Sequence, residues 1–205
     1  MSEYPIVALC CSAGGLEALT TVLGPLPAAL PAAVLVLQHM PPDLSSQLPA
    51  ILGRCTALSV QWAHDGDPLR PGWALVAPAG QHTLVTRQET IALIPSGSVP
   101  PYRPSADLLL TSLALAAGRR AVAIVLSGEG QDAATGATAV HRFGGVVIVS
   151  SPETSARSAM PHATMIRDGI TDHVVPLEDL AGLMLTLATA PIIEPGNGGR
   201  SSPPA

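Results

Sequence analysis

Aromatic residues are nearly missing from this 205-residue chain, which has one Phe, two Trp and two Tyr, or 2% in all. A core must then be filled by Ala, Val and Leu, and a hydrophobic share of 47% is enough to do it. Charged residues are also scarce at 12%, which excludes charge-driven disorder over most of the chain. There is no cluster of cations and the net charge is -5, so no nucleic-acid partner is expected, because that affinity rests on neutralising phosphates. Apolar runs such as Ala32 to Leu37 are too short to cross a bilayer, and Glu3 stands where a signal peptide would carry positive charge. A cytoplasmic protein without direct membrane insertion is expected. The three cysteines, two of them adjacent, form neither a disulfide framework nor a C-x-x-C pair. Cys10, Cys11 and Cys55 therefore read as small packed hydrophobes, and neither a metal nor a cofactor is expected.

What is present is a repeated alternation. Residues 4–9 form a continuous apolar run and "GLEALTTVL" at 15–23 reads as a helix stopped by Gly24-Pro25. A second buried strand over 33–38 ends at His39, after which Pro41-Pro42 open a helix expected to run to about Leu52. A third strand is expected over 57–62. From Asp65 to Pro95 the chain is broken by Asp-Gly, Pro-Gly and Ala-Gly turns, with period-two stretches at 83–86 and 90–94 that predict a short antiparallel hairpin. The alternation resumes with a helix over 104–117, a strand over 121–126, a helix from about Asp132 to Arg142 and a strand over 146–149. A helix over 155–166, a strand over 173–175 and a helix over 177–189 follow. Continuous apolar strands separated by helices predict an α/β fold, a doubly wound, mostly parallel sheet flanked by helices on both faces, with a short antiparallel hairpin at one edge. One domain over 1–190 and a disordered Gly/Pro/Ser tail over 191–205 are expected.

In an open parallel sheet, ligands bind beyond the carboxyl ends of the strands. The turns at those ends carry Ser12 in "CCSAGG", His39 in "LQHMP" and Asp132 in "SGEGQDAATG". A hydroxyl, an imidazole and a carboxylate are the parts of a Ser/His/Asp site, in which the base takes the serine proton and the carboxylate fixes the imidazole tautomer. Each has a plainer reading: Ser12 or Asp132 as a helix cap, His39 as a hydrogen-bonded structural residue. Their coincidence at one sheet edge favours the site. A Walker loop is excluded, since Gly15 is followed by Leu16-Glu17 with no lysine near. A dinucleotide turn needs G-x-G-x-x-G and is matched only by Gly14-Gly15, and the order Ser, His, Asp differs from that of the α/β-hydrolases.

These residues resemble the catalytic domain of the chemotaxis protein-glutamate methylesterases (CheB-like). That family carries its nucleophile in G-x-S-x-G-G, its base in Q-H-M-P and its aspartate in G-M-G-x-D-G. Here the three stand as Cys10 to Gly15, Gln38 to Pro41 and Gly128 to Ala133, joined by "RPSAD" at 103–107 and "AMPHA" at 159–163. The resemblance covers nearly the whole chain to about residue 190. It implies a serine hydrolase that removes methyl groups from glutamate γ-methyl esters on the cytoplasmic helices of methylated chemoreceptors or a receptor-like protein, with glutamine deamidation in some members. It further implies Ser12 as nucleophile, His39 as base and Asp132 as its orienter, with Ala13, Gly14, Met40, Arg103 and Glu129 around substrate and oxyanion. A docking domain of a chemosensory pathway, or an esterase for another substrate, is the alternative. Because the chain opens almost directly on the first strand, a stand-alone enzyme without a receiver domain is expected. Glu129 replaces the family's methionine and Tyr102 a histidine. A carboxylate beside an oxyanion would raise the barrier unless it is protonated, paired or turned to solvent.

Overall fold

In the computed structural model, residues 3–43, 45–97 and 102–191 are described. Seven strands form one parallel sheet: β1 (Ile6–Cys11), β2 (Ala33–Gln38), β3 (Ser59–Trp62), β4 (Trp73–Val76), β7 (Ala121–Val125), β8 (Val146–Ser150) and β9 (His173–Val175). Their order is β3-β4-β2-β1-β7-β8-β9. Between β4 and β7 lie β5 (Gln81–Val85) and β6 (Ile91–Pro95), which pair antiparallel as a separate two-stranded sheet. The chain builds outward from β1 on one side and then returns to build on the other. The winding therefore reverses at β1, and a crevice opens there at the carboxyl ends of β2, β1 and β7.

Period two along β1 explains the two cores. Ile6, Ala8 and Cys10 face one layer of fully buried residues, and Val7, Leu9 and Cys11 face the other. The first layer is closed by α3 (Ala106–Ala117) and α4 (Ala134–Arg142), the second by α1 (Gly15–Leu23) and α6 (Leu180–Thr189). In α3 the buried positions are 106, 109, 110, 113, 114 and 117, a continuous helical stripe, and Gly118 with φ of 55° ends it. Each fully buried Leu or Ile on these stripes stabilises by about 1.5–3 kcal/mol. Aliphatic side chains thus supply the core that the missing rings cannot.

Three elements differ from the sequence expectation. The helix expected from Pro41 is confined to α2 (Leu48–Leu52): Pro41-Pro42 offer no backbone donor, and the Ser46 hydroxyl accepts from Leu48 N at 3.2 Å just where the helix begins. β4 is absent from the expected strands, because the five apolar residues between Pro71-Gly72 and Pro78 read as part of a turn-rich stretch. It pairs with both β2 and β3. The helix expected over 155–166 is α5 (Ala159–Met165), since Ser155 turns its hydroxyl back onto the Ser151 carbonyl at 2.9 Å. Cys55, expected to be packed, is exposed after α2. The expected tail lies, from residue 192 onward, outside the described residues.

Candidate active site

The register sets the three turns level. Cys11 pairs with Gln38 on β2 and Cys10 with Val125 on β7, and the ladder continues past the strands through Ser12 N to Ser127 O (2.9 Å) and His39 N to Cys11 O (3.0 Å). Ser12, His39 and the turn leading to Asp132 thus leave three adjacent strands at one height.

Ser12 does not cap α1; the cap is Gly14, with φ of 77° and no side-chain bond. A Cβ on Gly14 would sit 2.6 Å from Ser127 Oγ and 2.8 Å from Ala156 Cβ, so both the conformation and the space require glycine. Ser127 holds this turn: its hydroxyl donates to Ala13 O at 2.8 Å and accepts from Arg157 N at 2.9 Å. The amides of Ala13 and Gly14 have no acceptor among the described residues. They lie at the start of α1, the end of a helix that favours negative charge.

His39 Nε2 lies 2.8 Å from Asp132 Oδ2. Asp132 is almost wholly buried and is held by the start of α3: Ala106 N donates to Oδ2 at 2.6 Å, and Asp107 N and the Ser105 hydroxyl donate to Oδ1 at 3.0 and 3.2 Å. Burial pushes this carboxyl up, yet the bonds from His39 and the two amides outweigh it and hold it below its ordinary range. Facing an anion, Nε2 carries the ring proton and Nδ1 remains the acceptor in the neutral imidazole. Asp107 returns the arrangement, accepting from Ala133 N (3.1 Å) and Gly136 N (2.7 Å) at the start of α4. Burial, with the Asp132 charge as a smaller cause, keeps Asp107 above its ordinary range despite those amides. Between them Ala133, where the family motif has glycine, takes φ of 94°.

Two solvent-open cavities meet at Ser12 and His39. One, of about 520 Å³, is lined also by Met40, Tyr102, Arg103 and Glu129; the other, of about 670 Å³, lies over Ala13, Gly14, Leu16 and Ile51. Every residue singled out from the sequence thus lines one or both, save Asp132, which sits behind His39. Met40 contributes its side chain, since its amide already donates to Arg103 O at 3.0 Å. Arg103 donates to Gly97 O at 3.2 Å. Glu129 pairs with Arg157 at 3.3 Å, both exposed, so its carboxylate is matched by a cation in water and the pair adds little stability. Cys10 and Cys11 are not rivals to Ser12. Burial pushes both thiols up, with the Asp132 charge a further cause at Cys10, and neither forms a thiolate at neutral pH.

Sequence reading gives no role to Ser105, Asp107 or Tyr102, although it finds the "RPSAD" motif and the departure at Tyr102, and it misses Ser127. Asp107 has a signal, lying two residues after an N-cap serine, and Tyr102 stands out only as a departure from the family motif; Ser127 has none, because its partners are far away in the chain. Among the described residues no helix is long and apolar enough to cross a membrane, and no cluster of His, Cys, Asp and Glu could hold a metal.

A hydroxyl, an imidazole and a buried carboxylate at three adjacent strand ends of a parallel α/β domain have the composition of a serine-hydrolase site. Comparison with known proteins narrows that class. Residues 7–184 match the family model described as CheB methylesterase. The chain is 38% identical over 188 residues to the protein-glutamate methylesterase/protein-glutamine glutaminase of Moorella thermoacetica, covering 90% of this chain and 44% of that protein. It is 39% identical over 191 residues to protein-glutamate methylesterase/protein-glutamine glutaminase 2 of Pseudomonas aeruginosa, covering 92% and 54%. The chain thus spans about half the length of these relatives. The crystal structure of the Thermotoga maritima CheB methylesterase catalytic domain superposes with a TM-score of 0.85 at 31% identity, covering 91% of this chain and 100% of that one. This chain belongs to the CheB methylesterase family.

Proposed function

We propose that the chain is a cytoplasmic protein-glutamate methylesterase acting on methylated chemoreceptor helices in chemotactic signalling. The observation that carries this is the His39–Asp132 contact of 2.8 Å with Ser12 in the same cleft, in a chain with these relatives. Ser12 Oγ attacks the γ-carbonyl carbon of a methylated glutamate while His39 Nδ1 takes the hydroxyl proton. The carbonyl oxygen becomes an oxyanion, for which the unoccupied amides of Ala13 and Gly14 are the donors at the start of α1. Collapse breaks the bond to the methoxy oxygen, which leaves as methanol with the proton from His39. Water, deprotonated by His39, then attacks the acyl-serine; glutamate departs and Ser12 is restored. A glutamine side chain would follow the same course with ammonia as leaving group. Asp132 stays ionised and holds Nε2–H throughout.

The cavities favour a side chain offered from a protein surface. Both open to solvent and meet at Ser12, forming a trough rather than a closed pocket, and Arg103, which lines one of them, is the cation available to acidic groups of the substrate. Glu129, neutralised by Arg157, does not oppose the oxyanion. Incubation with methyl-labelled receptor membranes is the test. Methanol release that disappears in Ser12→Ala is expected; release no greater than that of Ser12→Ala overturns the proposal.

A further inference from the structure

Tyr102 reaches the site from the segment leading into α3. Its ring stacks on the His39 imidazole with centroids 5.3 Å apart and planes 24° from parallel. Its hydroxyl accepts from Gln131 N at 3.3 Å, in the turn that carries Asp132. Gly130, with φ of 85°, makes room for it: a Cβ there would lie 2.8 Å from the ring carbon Cε1. One aromatic residue thus touches the imidazole with its face and the aspartate turn with its hydroxyl.

We propose that Tyr102 is a positioning residue for His39. The inference rests on the methylesterase reading of the Ser12–His39–Asp132 site. A flat ring stacked on the imidazole resists the rotation that would exchange Nε2 and Nδ1 while Asp132 holds Nε2, and so leaves Nδ1 free to serve Ser12 in the cleft that both residues line. It also acts when charge appears. His39 becomes an imidazolium as it takes the Ser12 proton, and an aromatic face within about 6 Å of a cation attracts it. That attraction is stronger in the transition state than in the resting enzyme, so it lowers the barrier instead of tightening substrate binding. The hydroxyl contact with Gln131 N, at 3.3 Å, is only a secondary anchor for the ring.

The test uses two readouts on the full chain. The first is the rate at which a small fluorophosphonate labels Ser12, which requires the base but no receptor. The second is steady-state methanol release. Tyr102→Ala is expected to slow labelling and lower kcat by roughly tenfold while KM moves less than about threefold. Tyr102→Phe, which keeps the ring, is expected to stay within about twofold of the parent, and Tyr102→Leu, which keeps bulk without a π face, to be as slow as Tyr102→Ala. Gly130→Ala, which pushes the ring aside, is expected to slow labelling as well. Equal labelling of Tyr102→Leu and the parent overturns the proposal, and so does a loss confined to KM. A parent protein that labels at Ser12 but releases no methanol overturns the substrate reading alone, because the labelling comparison still decides the role of Tyr102.

Discussion

Two helices begin at the same sheet edge, and the amides on the approach to one differ from the first amides of the other in what they meet. At α3 the donors are occupied: Asp132 accepts from Ala106 and Asp107, and the Ser105 hydroxyl accepts from Leu108. At α1 the chain arrives through left-handed Gly14 with no side-chain cap, and the amides of Ala13 and Gly14 find no acceptor among the described residues. Both ends carry the positive pole of a helix dipole. One is neutralised permanently by a carboxylate; the other, in the proposed reaction, would receive a charge that exists only while the ester is being cleaved. Preorganised donors that await charge are where an enzyme gains most from electrostatics, because no reorganisation is needed when the charge forms.

The comparison breaks most severely at the occupied end. Asp132→Asn should lower kcat on the order of 10³–10⁴-fold, since an amide cannot hold His39 in the required tautomer. Asp132→Ala should lose as much activity and in addition about 1–3 kcal/mol of stability, as two buried amides lose their acceptor. Urea titration beside methanol assays separates the two, and an Asp132→Asn enzyme within tenfold of the parent would contradict the assignment. At the open end, Gly14→Ala forces a Cβ toward Ser127 Oγ at positive φ. It should cost about 1–3 kcal/mol and lower kcat on the order of 10²-fold by moving the donors of the oxyanion. A drop in stability with kcat intact would show that those amides do not serve the reaction.

Acid titration sharpens the contrast between the two carboxylates. Asp132 titrates below its unfolded value when folded, so its contribution to stability is full above the ordinary Asp range and is lost as pH falls through the lowered folded value. Asp107 is raised, so its contribution is present at lower pH and is lost as pH rises through the raised value. Denaturation measured between roughly pH 3 and 6 should therefore show a shallower acid decline for Asp132→Asn and a steeper one for Asp107→Asn. Changes of the same sign in the two variants would refute this. The smallest effect is expected at Ala133, whose φ of 94° suits glycine. Ala133→Gly should raise stability by about 0.5–1 kcal/mol with kcat unchanged, and a lower denaturation midpoint would show that the turn is not strained.

How far the sequence carries depends on the range of the interactions. Ser12 and His39 can be found because a buried parallel strand reads as an apolar run and the residue that follows the run is visible, and Asp132 because the glycine-rich turn after the strand carries it. Cys10 and Cys11 can be assigned to opposite faces from the period of a strand alone. What cannot be read is which strands are neighbours, and therefore that the three turns adjoin. Nor can the supports be read. Ser127 works through Ala13 O and Arg157 N, and Tyr102 through the face of His39 and the Gln131 amide, none of which leaves a pattern in the chain. β4 escapes for a local reason: five apolar residues between glycine and proline punctuation make too short a run to stand out, and only pairing on both sides makes four of them a strand.

The interlocked carboxylates Asp107 and Asp132 also make the site observable from a distance. Each grips the first amides of the other's helix across 25 to 29 positions of chain, so neither grip survives unless α3 and α4 are docked. Hydrogen exchange at the Ala106 and Asp107 amides should then be slow only while Asp132 is in place to receive His39. Two protons on the backbone would report whether the catalytic machinery is assembled, in a protein given no substrate at all.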